Sequence, residues 1–216
     1  MNLNYKSYWR KSGLKGKWGN IFLERLSKHN PKNVLEIGVF CGVTARNTCD
    51  FLKVINGDSF TYTGIDLFGG QKNNSTNEIE PRFLLNQKFS NPLKNIYYNL
   101  ILRENLNSLK SVQKLLKKYS NNIKLIAGDT NSVLKEINLK DIDFVFLDGG
   151  HSYYTVMNDL KTLYASLKGK NTVILCDDYG ESSFIKEVNS AVNDFVKEKE
   201  VKFELIENRF AEIIFN

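Results

Sequence analysis

The feature that most constrains the fold is the order in which apolar runs follow one another. Five short runs, "NVLEIGV" (33–39), "FTYTGIDLF" (60–68), "NIKLIAGDT" (122–130), "DIDFVFLDGG" (141–150) and "NTVILCDDYG" (171–180), are spaced by helical patterns or polar turns. The helical patterns include "GVTARNTCDFLKVI", "YTVMNDLKTLYASLK" and "SSFIKEVNSAVNDFVKEK". Near-continuous apolar runs separated by helices predict parallel strands buried on both faces. The end of the chain breaks this order: "VKFELIE" (201–207) and "FAEIIF" (210–215) have only a short "NR" turn between them. So tight a connection cannot cross over a sheet, so these two strands are antiparallel. The expectation is an α/β fold with a doubly wound, mostly parallel, seven-stranded sheet that finishes in a C-terminal antiparallel hairpin. No internal repeat is visible.

Ahead of the first strand lies a basic, aromatic lead-in (1–30) with Trp9, Trp18 and a helix from about Trp18 to His29, stopped by Pro31. The main domain is then 31–216. His29 reads as a helix-end residue with no functional role. The interval from Gly69 to Asn122 is too long for a simple connection. Its second part, "YYNLILRENLNSLKSVQK" and "LLKKYS", carries helix; its first, "GGQKNNSTNEIEPRF", reads either as a lid over a site or as a plain surface loop.

Charge narrows the partners. The net charge of +6 raises the question of nucleic acid, but the lysines are scattered and alternate with apolar residues, as on solvated helix faces. Nucleic acid is therefore not the expected partner. Cys41, Cys49 and Cys176 form no CxxC pair and sit in or beside apolar runs, which suits buried thiols in a reducing compartment. The N-terminus does not read as a signal peptide, and no window approaches the ~18 apolar residues that span a bilayer. A cytoplasmic protein with no membrane contact is expected, and a homo-oligomer is compatible with the aromatic N-terminus.

Three motifs carry chemistry. In "VLEIGVFCGVTA" a strand runs through Glu36 and Gly38, and Gly42 opens a helix. Glycines there admit close approach of a ligand to the backbone, and the helix offers free N–H groups. A nicotinamide fingerprint would read GxGxxG; here a carboxylate precedes the first glycine, which disfavours a pyrophosphate and suits an ammonium-bearing ligand such as S-adenosylmethionine. In "TGIDLF" Asp66 ends the second strand, where a carboxylate can accept from ribose hydroxyls. In "IAGDTNSVL" Asp129 either meets an adenine amino group or caps a helix beginning near Asn131.

Taken in order, "LEIGVFCG", "GIDLF", "AGDT", "FLDGGHSY" and "ILCDDYG" resemble the class I S-adenosylmethionine-dependent methyltransferases, with their Rossmann-like sheet, across about residues 31–216. Within them the chain looks most like the small-molecule branch that includes macrolide-sugar and cephalosporin-pathway O-methyltransferases. The resemblance implies that Glu36, Gly38 and Gly42 shape the methionyl pocket, Asp66 holds the ribose and Asp129 lies by the adenine. Phe40 departs from the commoner loop by replacing its middle glycine.

The tips of the fourth and fifth strands complete the expectation. Asp148 ends one, Asp177 and Asp178 the other, and adjacent strands lie ~4.8 Å apart. Three such carboxylates can converge on a cation such as Mg²⁺, and in the family these positions hold the metal where one is needed. His151, three residues beyond Asp148, is the candidate base, by analogy with the sugar-modifying relatives; otherwise it is a helix-start residue bonded to backbone. Asp148 is expected beside it in catalysis, and Tyr153, Tyr154 and Tyr179 are candidates for the acceptor pocket. The expected reaction is methylation of a hydroxyl on a small polar acceptor with divalent-metal assistance. The alternatives are a metal-independent N-methyltransferase, a nicotinamide-dependent oxidoreductase and a non-catalytic cofactor-binding module.

Overall fold

Seven strands, β1 Asn33–Ile37, β2 Thr61–Asp66, β3 Ile123–Ala127, β4 Phe144–Leu147, β5 Thr172–Cys176, β6 Lys202–Ile206 and β7 Phe210–Phe215, form one sheet in the order β3-β2-β1-β4-β5-β7-β6. They belong to a computed structural model that describes residues 4–69, 83, 86–181 and 186–215. β1 to β5 pair in parallel, and β7 runs antiparallel between β5 and β6. The doubly wound sheet and its terminal hairpin are those expected from the order of apolar runs.

The helices are α1 Lys17–His29, α2 Val43–Asn56, α3 Pro92–Asn95 (continued by a wider π-helical turn, Ile96–Ile101), α4 Leu109–Leu116, α5 Thr130–Val133, α6 Tyr153–Leu167 and α7 Lys186–Lys199. The helix expected to run through Tyr97–Lys114 is interrupted: Asn105 turns the chain by accepting from Asn107 N–H at 3.0 Å, and Ser108 restarts it by capping α4. The polar stretch read as lid or loop lies, apart from Gly69 and Phe83, outside the described residues.

Strand alternation divides the core in two. Val34, Phe144, Phe146, Val173 and Leu175 face α1 and α2, whereas Leu35, Ile37, Val145, Leu147 and Ile174 face α6 and α7. Each fully buried side chain of this size contributes roughly 1.5–3 kcal/mol. The same alternation puts Glu36 and Glu212 among apolar neighbours on the α1/α2 face. Glu212, 2% exposed, is answered by α1: Arg25 donates Nε and Nη2 to its two oxygens at 2.7 and 2.6 Å. That pairing, helped by Lys28 and His29, holds the carboxylate below its usual range despite burial and staples α1 to β7. His29 thus faces Glu212, its Nε2 3.1 Å from Oε1, at the C-terminal end of α1.

The three cysteines are free and buried, as their apolar context predicts. Among the described residues no helix is long and apolar enough to cross a membrane. Strand order reverses between β1 and β4, since β2 and β3 are added on one side of β1 and β4 and β5 on the other, all parallel. Ligands of open α/β sheets lie outside the carboxyl ends of the strands at such a switch point.

Candidate active site

The candidate residues collect at this reversal because the main chain keeps bonding past the strand ends. Gly38 N–H donates to Ile65 O at 2.9 Å, Asp148 N–H to Ile37 O at 2.8 Å, and Asp177 N–H to Leu147 O at 2.9 Å. The loops after β1, β4 and β5 therefore start level. Gly38 sits at φ +91°, and a Cβ there would lie 2.1 Å from the Asp148 carbonyl oxygen, so the β1 and β4 loops touch through a position only glycine can fill. This contact joins the predicted cofactor side to the predicted acceptor side.

On the cofactor side Glu36 is 1% exposed. Its Oε2 accepts from Tyr62 O–H at 2.8 Å, while Oε1 is buried without a hydrogen-bond partner among the described residues. Burial, only partly offset by the Tyr62 bond and reinforced by the Asp66 charge, pushes its carboxyl up to about 8. Asp66 accepts from Phe40 N–H at 2.8 Å and Phe68 N–H at 2.7 Å. Phe40 adopts φ +52°, a left-handed conformation that a non-glycine residue holds at a strain on the order of 1–3 kcal/mol, and its ring packs edge-on against Phe83 at 5.6 Å. Gly42, φ +76°, sits at the N-cap of α2. Asp129 does not need a ligand to explain it: its Oδ1 accepts from Asn131 N–H and Nδ2 at 2.9 Å each, capping α5.

On the acceptor side the tips of β4 and β5 enclose a water-sized cavity bordered by Asp148, His151, Asp177, Asp178, Val156 and Val188. His151 is fixed by the next residue, since Ser152 caps α6 by accepting from Thr155 N–H at 3.3 Å. Its Nε2 stands 3.5 Å from Asp178 Oδ2. Asp178 occupies φ +55°, a left-handed conformation that a non-glycine residue holds at a cost and that clusters at functional sites. Burial would raise its carboxyl, but the His151 hydrogen bond and the charges of His151 and Arg209 outweigh it and lower it. Asp148 is raised well above the carboxylate range, by burial first and then by repulsion from Asp177, Asp178 and Glu36.

Arg209, absent from the sequence expectation, changes the electrostatics. From the β6–β7 turn it donates Nε to Asp177 Oδ1 at 2.6 Å and Nη2 to Oδ2 at 2.7 Å. Both carboxylate oxygens of Asp177, which is 3% exposed, are thereby engaged. The three-aspartate Mg²⁺ site anticipated for Asp148, Asp177 and Asp178 does not fit this arrangement: one ligand faces a guanidinium and another an imidazole. Among the described residues no group of three or more His, Cys, Asp or Glu has the geometry to hold a metal ion. The tyrosines also depart from expectation. Tyr153 O–H bonds Asp194, Tyr179 O–H bonds Asn193, and Tyr154 is 79% exposed, so none borders the cavity.

The N-terminal segment closes over both sides. Arg10, buried, donates to Cys41 O at 3.1 Å and to Ser111 Oγ at 2.8 Å, binding the glycine loop to α4. Tyr5 O–H bonds Ser12 and Thr44, and the charges of Glu36 and Asp148 add to burial in raising its pKa. A Cβ on Gly13 would lie 3.9 Å from Asp148 Oδ2.

Comparisons with known proteins agree with this geometry. Residues 35–179 match a family model described as "Methyltransferase domain". The calicheamicin methyltransferase CalS11 superposes with a TM-score of 0.61 at 15% identity over 91% of this chain and 78% of that one. The O-methyltransferase NovP gives 0.59 at 16% identity over 89% and 75%. The S-adenosylhomocysteine-bound methyltransferase PaMTH1 of Podospora anserina gives 0.58 at 16% identity over 94% and 80%. At these identities the likeness is one of fold. No curated protein matches at the level of sequence.

Proposed function

We infer, for a chain that belongs to the methyltransferase-domain family and is an S-adenosylmethionine-dependent methyltransferase, that its methyl acceptor is a hydroxyl of a small polar molecule. The observation that carries this reading is the His151–Asp178 pair, held at 3.5 Å beside a backbone contact between the cofactor loop and the β4 loop. The names of CalS11 and NovP point the same way, one a calicheamicin methyltransferase and the other an O-methyltransferase.

The residues present fit the donor. Glu36 offers the methionyl ammonium a buried carboxylate oxygen that no described residue meets, Gly38 and Gly42, both at positive φ, shape the loop beside it, and Asp66, already oriented by two N–H groups, receives the ribose. When bound, S-adenosylmethionine supplies an electrophilic methyl carbon.

A neutral hydroxyl attacks poorly, so the chain's task is to hold it in line and take its proton. His151 is the base: its imidazole receives the proton, and Asp178, 3.5 Å from Nε2, stabilises the imidazolium that forms. Asp148, held toward the protonated form by burial and then by its acidic neighbours, orients the acceptor by a hydrogen bond. Tyr5 and Gly13, lying across both sides, exclude water. Mg²⁺ assistance is not part of this reading, because Asp177 is engaged by Arg209.

The test uses ¹³C-methyl S-adenosylmethionine and fractionated small-molecule extracts. The transferred methyl is expected at the carbon chemical shift of an O–CH₃ group. A methyl bound to nitrogen or carbon, with no O-methyl product, rejects the hydroxyl reading.

A further inference from the structure

We propose that Arg209 is the resident cation of the acceptor site, its guanidinium standing where a divalent ion would otherwise join the β4 and β5 tips. The inference deepens the methyl-transfer reading and rests on it for the location of the acceptor.

Sheet register brings the residues together. β5 and β7 pair Cys176 with Ala211, and two further steps set Asp178 against Arg209, where Tyr179 N–H donates to Arg209 O at 2.8 Å. The arginine backbone is held on its other side as well, by Arg209 N–H to Ile206 O at 3.1 Å. Its guanidinium lies 5.4 Å from the Trp18 ring centroid and 5.6 Å from that of Phe210, while its fork meets Asp177. It reaches Asp178 Oδ1 at 4.0 Å as well. A planar fork fixed by aromatic faces and a bidentate carboxylate is a preorganised charge, the use for which arginine is suited and lysine is not.

A divalent ion at the same place would have to take Asp177 from two charge-assisted hydrogen bonds. It would also leave the guanidinium in the enclosed cluster without its partner. Mg²⁺ sheds water reluctantly and needs well-placed oxygens, and the oxygens of Asp177 are committed. Arg209 acts through its neighbours: it fixes Asp177 and screens Asp178, whose other oxygen faces His151. It is a positioning residue for the base and makes the ion unnecessary.

The test is Mn²⁺ titration of the full chain, followed by electron paramagnetic resonance, with S-adenosylhomocysteine binding measured by calorimetry on the same samples. Wild type is expected to leave Mn²⁺ free in solution. Arg209→Met, which removes charge and keeps bulk, is expected to gain one Mn²⁺ site at least tenfold tighter than any in wild type. Arg209→Lys retains a cation and is expected to gain none. An arginine serving only as a structural staple would lower the unfolding midpoint in both variants and confer no Mn²⁺ site on either. Stoichiometric Mn²⁺ binding by wild type, or a folded Arg209→Met that gains no site, overturns the proposal. If Arg209→Met does not fold, wild type decides: binding of Mn²⁺ overturns the proposal and its absence supports it. Loss of S-adenosylhomocysteine binding in wild type would instead strike at the methyl-transfer reading, so the two failures are distinct.

Discussion

The tips of β1 and β2 and the tips of β4 and β5 solve the problem of buried carboxylates in opposite ways. At the first, Glu36 keeps an oxygen without a hydrogen-bond partner among the described residues. At the second, Asp177 faces Arg209 and Asp178 faces His151. An unanswered buried carboxylate takes up a proton or waits for a ligand's positive charge; an answered one is complete by itself. In the reading proposed above, an ammonium completes the cofactor side and the acceptor side works without a borrowed ion.

The contrast can be broken at its seam. Gly38→Ala puts a methyl group against the Asp148 carbonyl at a positive φ, and backbone on both sides leaves little room to yield. We expect destabilisation of about 4 kcal/mol or more and no S-adenosylhomocysteine binding, read by urea unfolding and calorimetry. Retention of both would mean that the two loops do not depend on each other.

Glu36→Gln sharpens the cofactor half. The Glu36 carboxyl is raised to about 8 from 4.5, so the folded, ligand-free state keeps a proton that the unfolded state releases. Its stabilising contribution is fully present below about 4.5 and lost as pH rises through about 8. The loss is on the order of 4 kcal/mol. Urea midpoints from pH 5 to 8 should fall in wild type and stay flatter in Glu36→Gln. Parallel curves would remove Glu36 from the account.

The acceptor half is tested by His151→Ala. With the acceptor found by labelling, kcat should drop by roughly 10²–10⁴ while S-adenosylhomocysteine affinity stays within about twofold of wild type. An unchanged pH–rate profile would assign the imidazole a structural role. The smallest effect is expected at Asp129→Ala: about 1 kcal/mol from the lost cap, with little change in cofactor affinity if the cap is its whole function. A tenfold loss of affinity would return it to the adenine.

Most of the fold could be read from the sequence because alternation and turn length are local. "NVLEIGV" and "FAEIIF" announce burial on both faces, and "NR" leaves no room for a crossover. The tip positions of Asp148, Asp177 and His151 follow from the same reading, since each lies just beyond an apolar run. Arg209 did not announce itself, because its partners depend on antiparallel register across β5 and β7, and nothing in "ENRF" shows what it faces. A single arginine in a hairpin turn, directly before the largely apolar strand "FAEIIF", was the available signal. Tyr62 was hidden likewise, as its contact with Glu36 is diagonal between β1 and β2. Tyr153 and Tyr179 were misplaced because the first turn of α6 and the loop after β5 carry their hydroxyls to Asp194 and Asn193 on α7, partners far away in sequence. Arg10 lies in a segment without regular structure, where no periodicity reveals burial.

The central claim, that the cofactor side is completed by its ligand's ammonium, has a direct signature in protons. At pH 7 a Glu36 carboxyl raised to about 8 is mostly protonated, and a bound ammonium favours its ionised form. S-adenosylhomocysteine binding, measured calorimetrically at pH 7 in buffers of different ionisation enthalpy, should release close to one proton more per molecule from wild type than from Glu36→Gln. Equal proton release from the two proteins would contradict it.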